Sequence, residues 1–158
     1  DDGGHGRRRR QGGRRRAVTC AFCQIAAGSR EAQVVLESEG AIAFLDHRPL
    51  FPGHVLLAPR QHWVTVDELP ATCLEPFFAD LQRLARAVEA GVEGAEGTFV
   101  AINNKVSQSV PHLHVHIVPR RRGDGLKGFF WPRHPYADDG HRDRTAARIR
   151  AVLAAANA

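Results

Sequence analysis

Between positions 109 and 118 the chain reads Ser-Val-Pro-His-Leu-His-Val-His-Ile-Val, so three imidazoles alternate with three aliphatic side chains. Side chains along a β-strand alternate between its two faces. A strand over 112–119 therefore sends His112, His114 and His116 to one side and Leu113, Val115 and Ile117 into a core. Imidazole serves two chemistries in such a place. It is a common metal ligand, and His-x-His on a strand can supply two ligands to one ion. It is also a nucleophile and proton carrier, one ring attacking phosphorus while a neighbour handles the proton or the phosphate charge. The flanks suit an anion. Asn103, Asn104, Gln108 and Ser109 stand just upstream and can donate to anionic oxygens. No Asp or Glu lies between Thr98 and Arg122, although hydrolytic metal sites commonly use a carboxylate.

These residues need a scaffold, and 158 residues provide for one domain of ordinary size. Residues 33–36 and 41–46 read as strands joined by the turn Ser38-Glu39-Gly40, and 54–59 as a third strand opened by Pro52-Gly53. A helix follows. Leu74, Phe77, Phe78, Leu81, Leu84, Ala85 and Val88 recur at steps of three and four, which predicts one apolar face, with Glu75, Asp80, Gln82, Arg83 and Arg86 in water. Thr72 and Glu75 have the spacing of a capping box, and Pro76 is expected in the first turn. Strands over 98–102 and 112–119 flank a long polar turn, and a closing helix is expected over 143–156. Three strands, a helix, two strands and a helix make an α+β fold. The expected architecture is an antiparallel sheet of about five strands with one long helix and a C-terminal helix.

The formal charge of +5 suggests a nucleic-acid partner until it is divided by segment. Residues 1–16 hold seven Arg against two Asp, and the remainder balances fifteen basic against fifteen acidic residues. The tail has no apolar residue before Ala17 and is expected to be disordered, with contact to phosphate backbones as the first of two functional readings. A secretory signal is a poorer reading of 17–28, because Thr19, Gln24 and a Cys pair interrupt it. No run approaches the roughly 20 apolar residues of a membrane span. A soluble, cytoplasmic protein is expected, with no membrane partner.

The segment His112-Leu113-His114-Val115-His116-Ile117-Val118, with its lead-in Gln108-Ser109-Val110, resembles the signature of the histidine triad, or HIT, family. The likeness extends through Cys20-x-x-Cys23, Ala43-Phe44-Leu45-Asp46, Gly53-His54-Val55, Pro59-Arg60-Gln61-His62 and on to Gly123-Asp124-Gly125. It implies a HIT domain over 17–158, with its core over about 18–130 and a C-terminal extension over 131–158, behind the tail of 1–16. The resemblance implies a homodimer that hydrolyses nucleotide derivatives at the α-phosphate, such as diadenosine polyphosphates or nucleoside phosphoramidates. His114 would be the nucleophile, forming a covalent nucleotidyl-histidine. His116 and His54 would contact the phosphate, and Ser109 and Gln108 would stabilise developing charge or the leaving group. Asp46 would accept from ribose hydroxyls, Asn103 or Asn104 would reach the substrate, and Phe22, Ile25 and Phe44 are candidates for the base pocket or for ordinary core. In bacterial-type members a Cys pair joins two His ligands, which here implies a structural zinc on Cys20, Cys23, His62 and His112. A buried thiol pair or a redox pair is the other reading of Cys20 and Cys23. Mg²⁺ could accompany the phosphates. Two rival readings are a nucleotide-binding regulatory module with incidental turnover, and a metal enzyme with zinc on the triad itself.

The chain departs from the family pattern at Ser107, where many members carry a Gly-rich loop ending in Gly, and at Pro111 before the triad. Arg120, Arg121, Arg122, Lys127 and Arg133 could follow a polyphosphate chain or simply face water, and Trp131 and Tyr136 could close a pocket or an interface. Cys73 is expected to be a small buried residue.

Overall fold

The structure, a computed structural model, describes residues 20–126 and 134–156. The Arg-rich tail, Lys127, Trp131 and Arg133 lie outside the described residues. The chain divides after Asp124 into two compact units. The first holds a five-stranded antiparallel sheet, and the fold is α+β as expected. Its elements are α1 (Ala21–Ala26), β1 (Val34–Glu37), β2 (Ala41–Leu45), β3 (Val55–Pro59), α2 (Ala71–Gly91), β4 (Gly97–Ile102) and β5 (Val115–Arg120). A 3-10 turn spans Val66–Glu68. The strand order is β1-β2-β3-β5-β4, so β5 lies inside the sheet and β4 at an edge. The second unit holds α3 (Asp139–Ala156). It begins four residues before the expected start because the Asp138 carboxylate accepts the His141 N–H at 2.6 Å and caps it.

The sheet has two apolar faces, as its alternation demands. Ala41, Ala43, Val55, Leu57, Val115 and Ile117 pack against Phe77, Leu84 and Val88 of α2. Ile42, Phe44, Leu56 and Ala58 pack on the other face against Phe22 and Ile25 of α1. The six-residue α1 was not expected from the sequence. His116 pairs with Leu56 across β5 and β3, which puts it on the α1 face.

Helix α2 corrects four expectations. It starts at Ala71 with Pro70 as N-cap and no side-chain cap bond, so Thr72 and Glu75 lie inside the helix and form no capping box. Pro76 is consequently its sixth residue, beyond the first turn. The apolar stripe is wider than the sheet it meets: Phe77, Leu84 and Val88 are buried, whereas Leu74 and Phe78 are 41% and 38% exposed. Asp80, expected in water, occupies a buried position between them.

The turn before His54 depends on Gly53. Its φ is +94°, and a Cβ there would stand 2.5 Å from Val92 Cγ2. Gly53→Ala is expected to destabilise the fold by about 1–3 kcal/mol, read as a lower denaturant midpoint at unchanged m-value.

Candidate functional site

Strand β5 starts at Val115, so the expectation of a strand from His112 is wrong by three residues. The His112 N–H bonds the Val110 carbonyl at 2.8 Å, and the Leu113 N–H bonds the Trp63 carbonyl at 2.7 Å. This tight approach consumes the backbone groups that a neighbouring strand would have taken. The three imidazoles still lie on the α1 face, with Leu113, Val115 and Ile117 in the core on the opposite side as expected, although only His116 is on the strand itself. They divide between two sites.

His112 belongs to the first. Its Nε2 donates to the Pro59 carbonyl at 2.8 Å, which leaves Nδ1 as the lone-pair nitrogen. That Nδ1 lies 3.3 Å from Cys20 Sγ and 3.5 Å from Cys23 Sγ, and His62 Nδ1 lies 3.3 Å from Cys23 Sγ. All four ligand atoms fall within 4.8 Å of one another. A tetrahedral zinc with Zn–S of about 2.3 Å and Zn–N of about 2.0–2.1 Å holds sulfur and nitrogen roughly 3.5 Å apart. The donor set fits. Burial, with the neighbouring Cys20 thiol adding to it, pushes the Cys23 thiol up to about 11, so a metal binding there displaces a proton.

His114 and His116 belong to the second site, with ring centroids 4.9 Å apart. His114 is buried, and its Nδ1 donates to the His112 carbonyl at 2.7 Å, so Nε2 bears the lone pair. Around His116 the tautomers follow from one backbone amide. The Leu50 N–H donates to His54 Nδ1 at 3.2 Å, so His54 Nε2 carries a proton and donates to His116 Nδ1 at 3.0 Å. His116 Nε2 is then a donor. Leu50 carries no chemistry in its side chain, and no sequence signal marks its amide. Asp46 follows β2; one oxygen accepts the Arg48 N–H at 2.9 Å and the other stands 3.7 Å from His54 Nδ1. Since His112 Nδ1 faces the thiols and His114 Nδ1 a carbonyl, the triad does not converge on a single ion.

Phe22 joins the two sites. Its ring lies edge-on to His114 at 5.1 Å, to His112 at 5.8 Å and to Phe44 at 5.2 Å. Phe22, Ile25 and Phe44 are all buried in the apolar cluster under α1. Gln108 ties two loops together, donating to the Val64 carbonyl at 2.6 Å and accepting the Lys105 N–H at 3.1 Å. Asn104 likewise accepts the Val66 N–H at 3.1 Å, whereas no side-chain bond of Asn103 forms among the described residues. Ser107 has φ +60°, the left-handed region that favours the glycine common at this place in the family. Ser109 is exposed and lines a cleft of about 440 Å³ with Cys20, His62 and Pro111. Arg120 is committed to Asp124 by bonds of 2.6 and 3.0 Å.

Burial holds all four imidazoles on the neutral side. It lowers His114 and His54, and lowers His112 and His116 to about 4. For His54 and His116 the folded value lies below 6.5, so below that pH the unfolded chain binds more protons. Stability is therefore expected to be full above pH 6.5 and to fall as pH drops toward about 4, where His116 also charges in the folded state. Thermal melts from pH 8 to 4 should show that decline, and a flat profile contradicts it.

The HIT domain model matches residues 27–123. An uncharacterized HIT-like protein of Mycobacterium tuberculosis is 38% identical over 142 residues, covering 87% of this chain and 94% of its own. The adenosine 5'-monophosphoramidase of Schizosaccharomyces pombe is 31% identical over 124 residues, covering 77% and 90%. Among solved structures, a HIT-family protein from Bacillus subtilis superposes with a TM-score of 0.75 at 32% identity, covering 84% of this chain and 95% of its own. A zinc-bound histidine triad protein from Mycobacterium smegmatis does so at 0.65 and 35%, covering 87% and 99%.

Proposed function

Because this chain belongs to the HIT family, we propose that it is a hydrolase of nucleotide derivatives acting through a covalent nucleotidyl-His114, with phosphoramidates and diadenosine polyphosphates as its substrates. The observation that carries the reading is the His114 ring: neutral, held at Nδ1 by the His112 carbonyl, with Nε2 bearing a lone pair beside a second imidazole donor. Nε2 attacks the α-phosphorus, a P–N(His) bond forms, and the bond to the leaving amine or phosphate breaks, taking its electron pair with it. The carbonyl at Nδ1 stabilises the charge that the ring gains. His116, oriented by His54, donates from Nε2 to a phosphate oxygen or to the leaving atom. Water then attacks phosphorus, the P–N(His) bond breaks and a nucleoside monophosphate leaves. Asp46 accepts from the ribose, Asn103 and Ser109 contact the phosphate, and Phe22, Ile25 and Phe44 support the base. The test is a turnover screen across adenosine phosphoramidates, diadenosine polyphosphates and sugar-linked nucleotides. Monophosphate release from the first two supports the reading, and nucleotide binding with no release from any overturns it.

In this reading zinc occupies the Cys2His2 set and is structural. It holds Cys20, Cys23, His62 and His112 together, and thereby keeps α1 and Phe22 against His114. Three unpaired cysteines suit a reducing, cytoplasmic setting.

The reading also includes a homodimer. Strand β4 is an edge with an exposed Val100, α2 packs over β5 and β4, and Leu74 and Phe78 leave an apolar stripe on that side. Phe78→Glu is expected to convert the dimer into a folded monomer, measured by sedimentation velocity. A wild-type monomer at tens of micromolar overturns this part.

A further inference from the structure

On the α2 face of the sheet, opposite the triad, lies a cleft of about 410 Å³ that the nucleotide chemistry does not use. Its walls include Trp63, Leu69, Pro76 and Phe77, and Asp80 and the half-buried Cys73 also line it. Asp80 occupies a core position of α2, three residues after Phe77 and four before Leu84, where an apolar side chain would fit the pattern. A carboxylate there is costly to desolvate unless it is paired. Its side chain is only 8% exposed, yet its partner Arg83 is 67% exposed and bonds a single oxygen, Oδ1, at 2.9 Å. Oδ2 has no hydrogen bond among the described residues. The cation at the rim is already committed: Arg60 bonds Glu37 and the carbonyls of Ser38 and Ala26. Glu39 at the same rim adds further negative charge. The cleft thus combines aromatic and aliphatic walls with a largely buried carboxylate whose Oδ2 has no protein partner among the described residues and stays open to the solvent of the cleft.

We propose that this cleft is a binding site for a small protonated primary amine bearing an apolar ring. The ammonium donates to Asp80 Oδ2, and the ring lies against Trp63 and Phe77. The site is independent of the triad, because it opens on the other face of the sheet.

The test uses the full chain, with phenethylamine as probe and 2-phenylethanol as its neutral counterpart, by isothermal titration. The amine is expected to bind saturably at one per chain, and the alcohol about tenfold or more weakly, since only the amine makes a charge-assisted bond. Asp80→Asn should weaken the amine by about tenfold and leave both the alcohol and nucleotide turnover unchanged. A second measurement needs no variant. Iodoacetamide labelling of Cys73 in the wild type, followed by peptide mapping, should be slowed by the amine and not by the alcohol. Equal binding of amine and alcohol, amine affinity that survives Asp80→Asn, or unprotected Cys73 at saturating amine each overturns the proposal.

Discussion

His114→Asn is expected to lower turnover of an adenosine phosphoramidate by about a thousandfold or more while leaving nucleotide affinity within a few-fold of wild type. Asparagine retains a hydrogen-bonding group of similar reach but cannot form the P–N(His) bond, so the split of one displacement into two is lost. The buried ring makes few alternatives available: His112 is turned toward the thiols, and His116 Nδ1 accepts from His54. His116→Ala should cost less, since it removes a donor and leaves the nucleophile. Intact-mass measurement of that slower variant with substrate should reveal a nucleotidyl adduct, absent when His114 is also replaced. Undiminished turnover by His114→Asn would eliminate the covalent mechanism.

Joint replacement of Cys20 and Cys23 by Ser has the largest expected effect on stability. Zinc content should fall from about one per chain to near zero, and the melting temperature by about 10 °C or more, corresponding to roughly 3 kcal/mol or more for a domain of this size. The four ligands come from α1, the loop after β3 and the approach to β5, so their release frees three segments at once. Turnover should fall too, because α1 carries Phe22 against His114 at 5.1 Å. The companion variant separates this from a catalytic metal. A His114/His116 double replacement should keep its zinc, and a Cys20/Cys23 variant that keeps a full equivalent places the metal elsewhere.

Much of this site was legible in the sequence because its signals are local. Two-residue alternation around His112–Ile117 and the Cys20-x-x-Cys23 spacing depend only on neighbouring positions, as do the periods that separate strand from helix. They were enough for the α+β fold, the five antiparallel strands and the family resemblance. The same locality explains the errors. The alternation that announces a strand cannot reveal that His112 and Leu113 spend their backbone N–H groups on Val110 and Trp63, which delays β5 to Val115. Helical spacing collected Leu74 and Phe78 with Phe77, but how much of a stripe is covered depends on the sheet beneath it.

What the sequence by itself determined is which side chains are candidates for the chemistry and most of the elements that bear them, since residue type and period are properties of the chain alone. Only the tertiary structure decided how three similar imidazoles take different roles. The Pro59 carbonyl turns His112 Nδ1 toward the thiols, the His112 carbonyl leaves His114 Nε2 with its lone pair, and the Leu50 amide makes His116 Nε2 a donor through His54. Each role is set by a backbone group, two residues upstream for His114 and far along the chain for His112 and His116, and every residue type carries a carbonyl and all but proline an N–H, so no sequence pattern marks them.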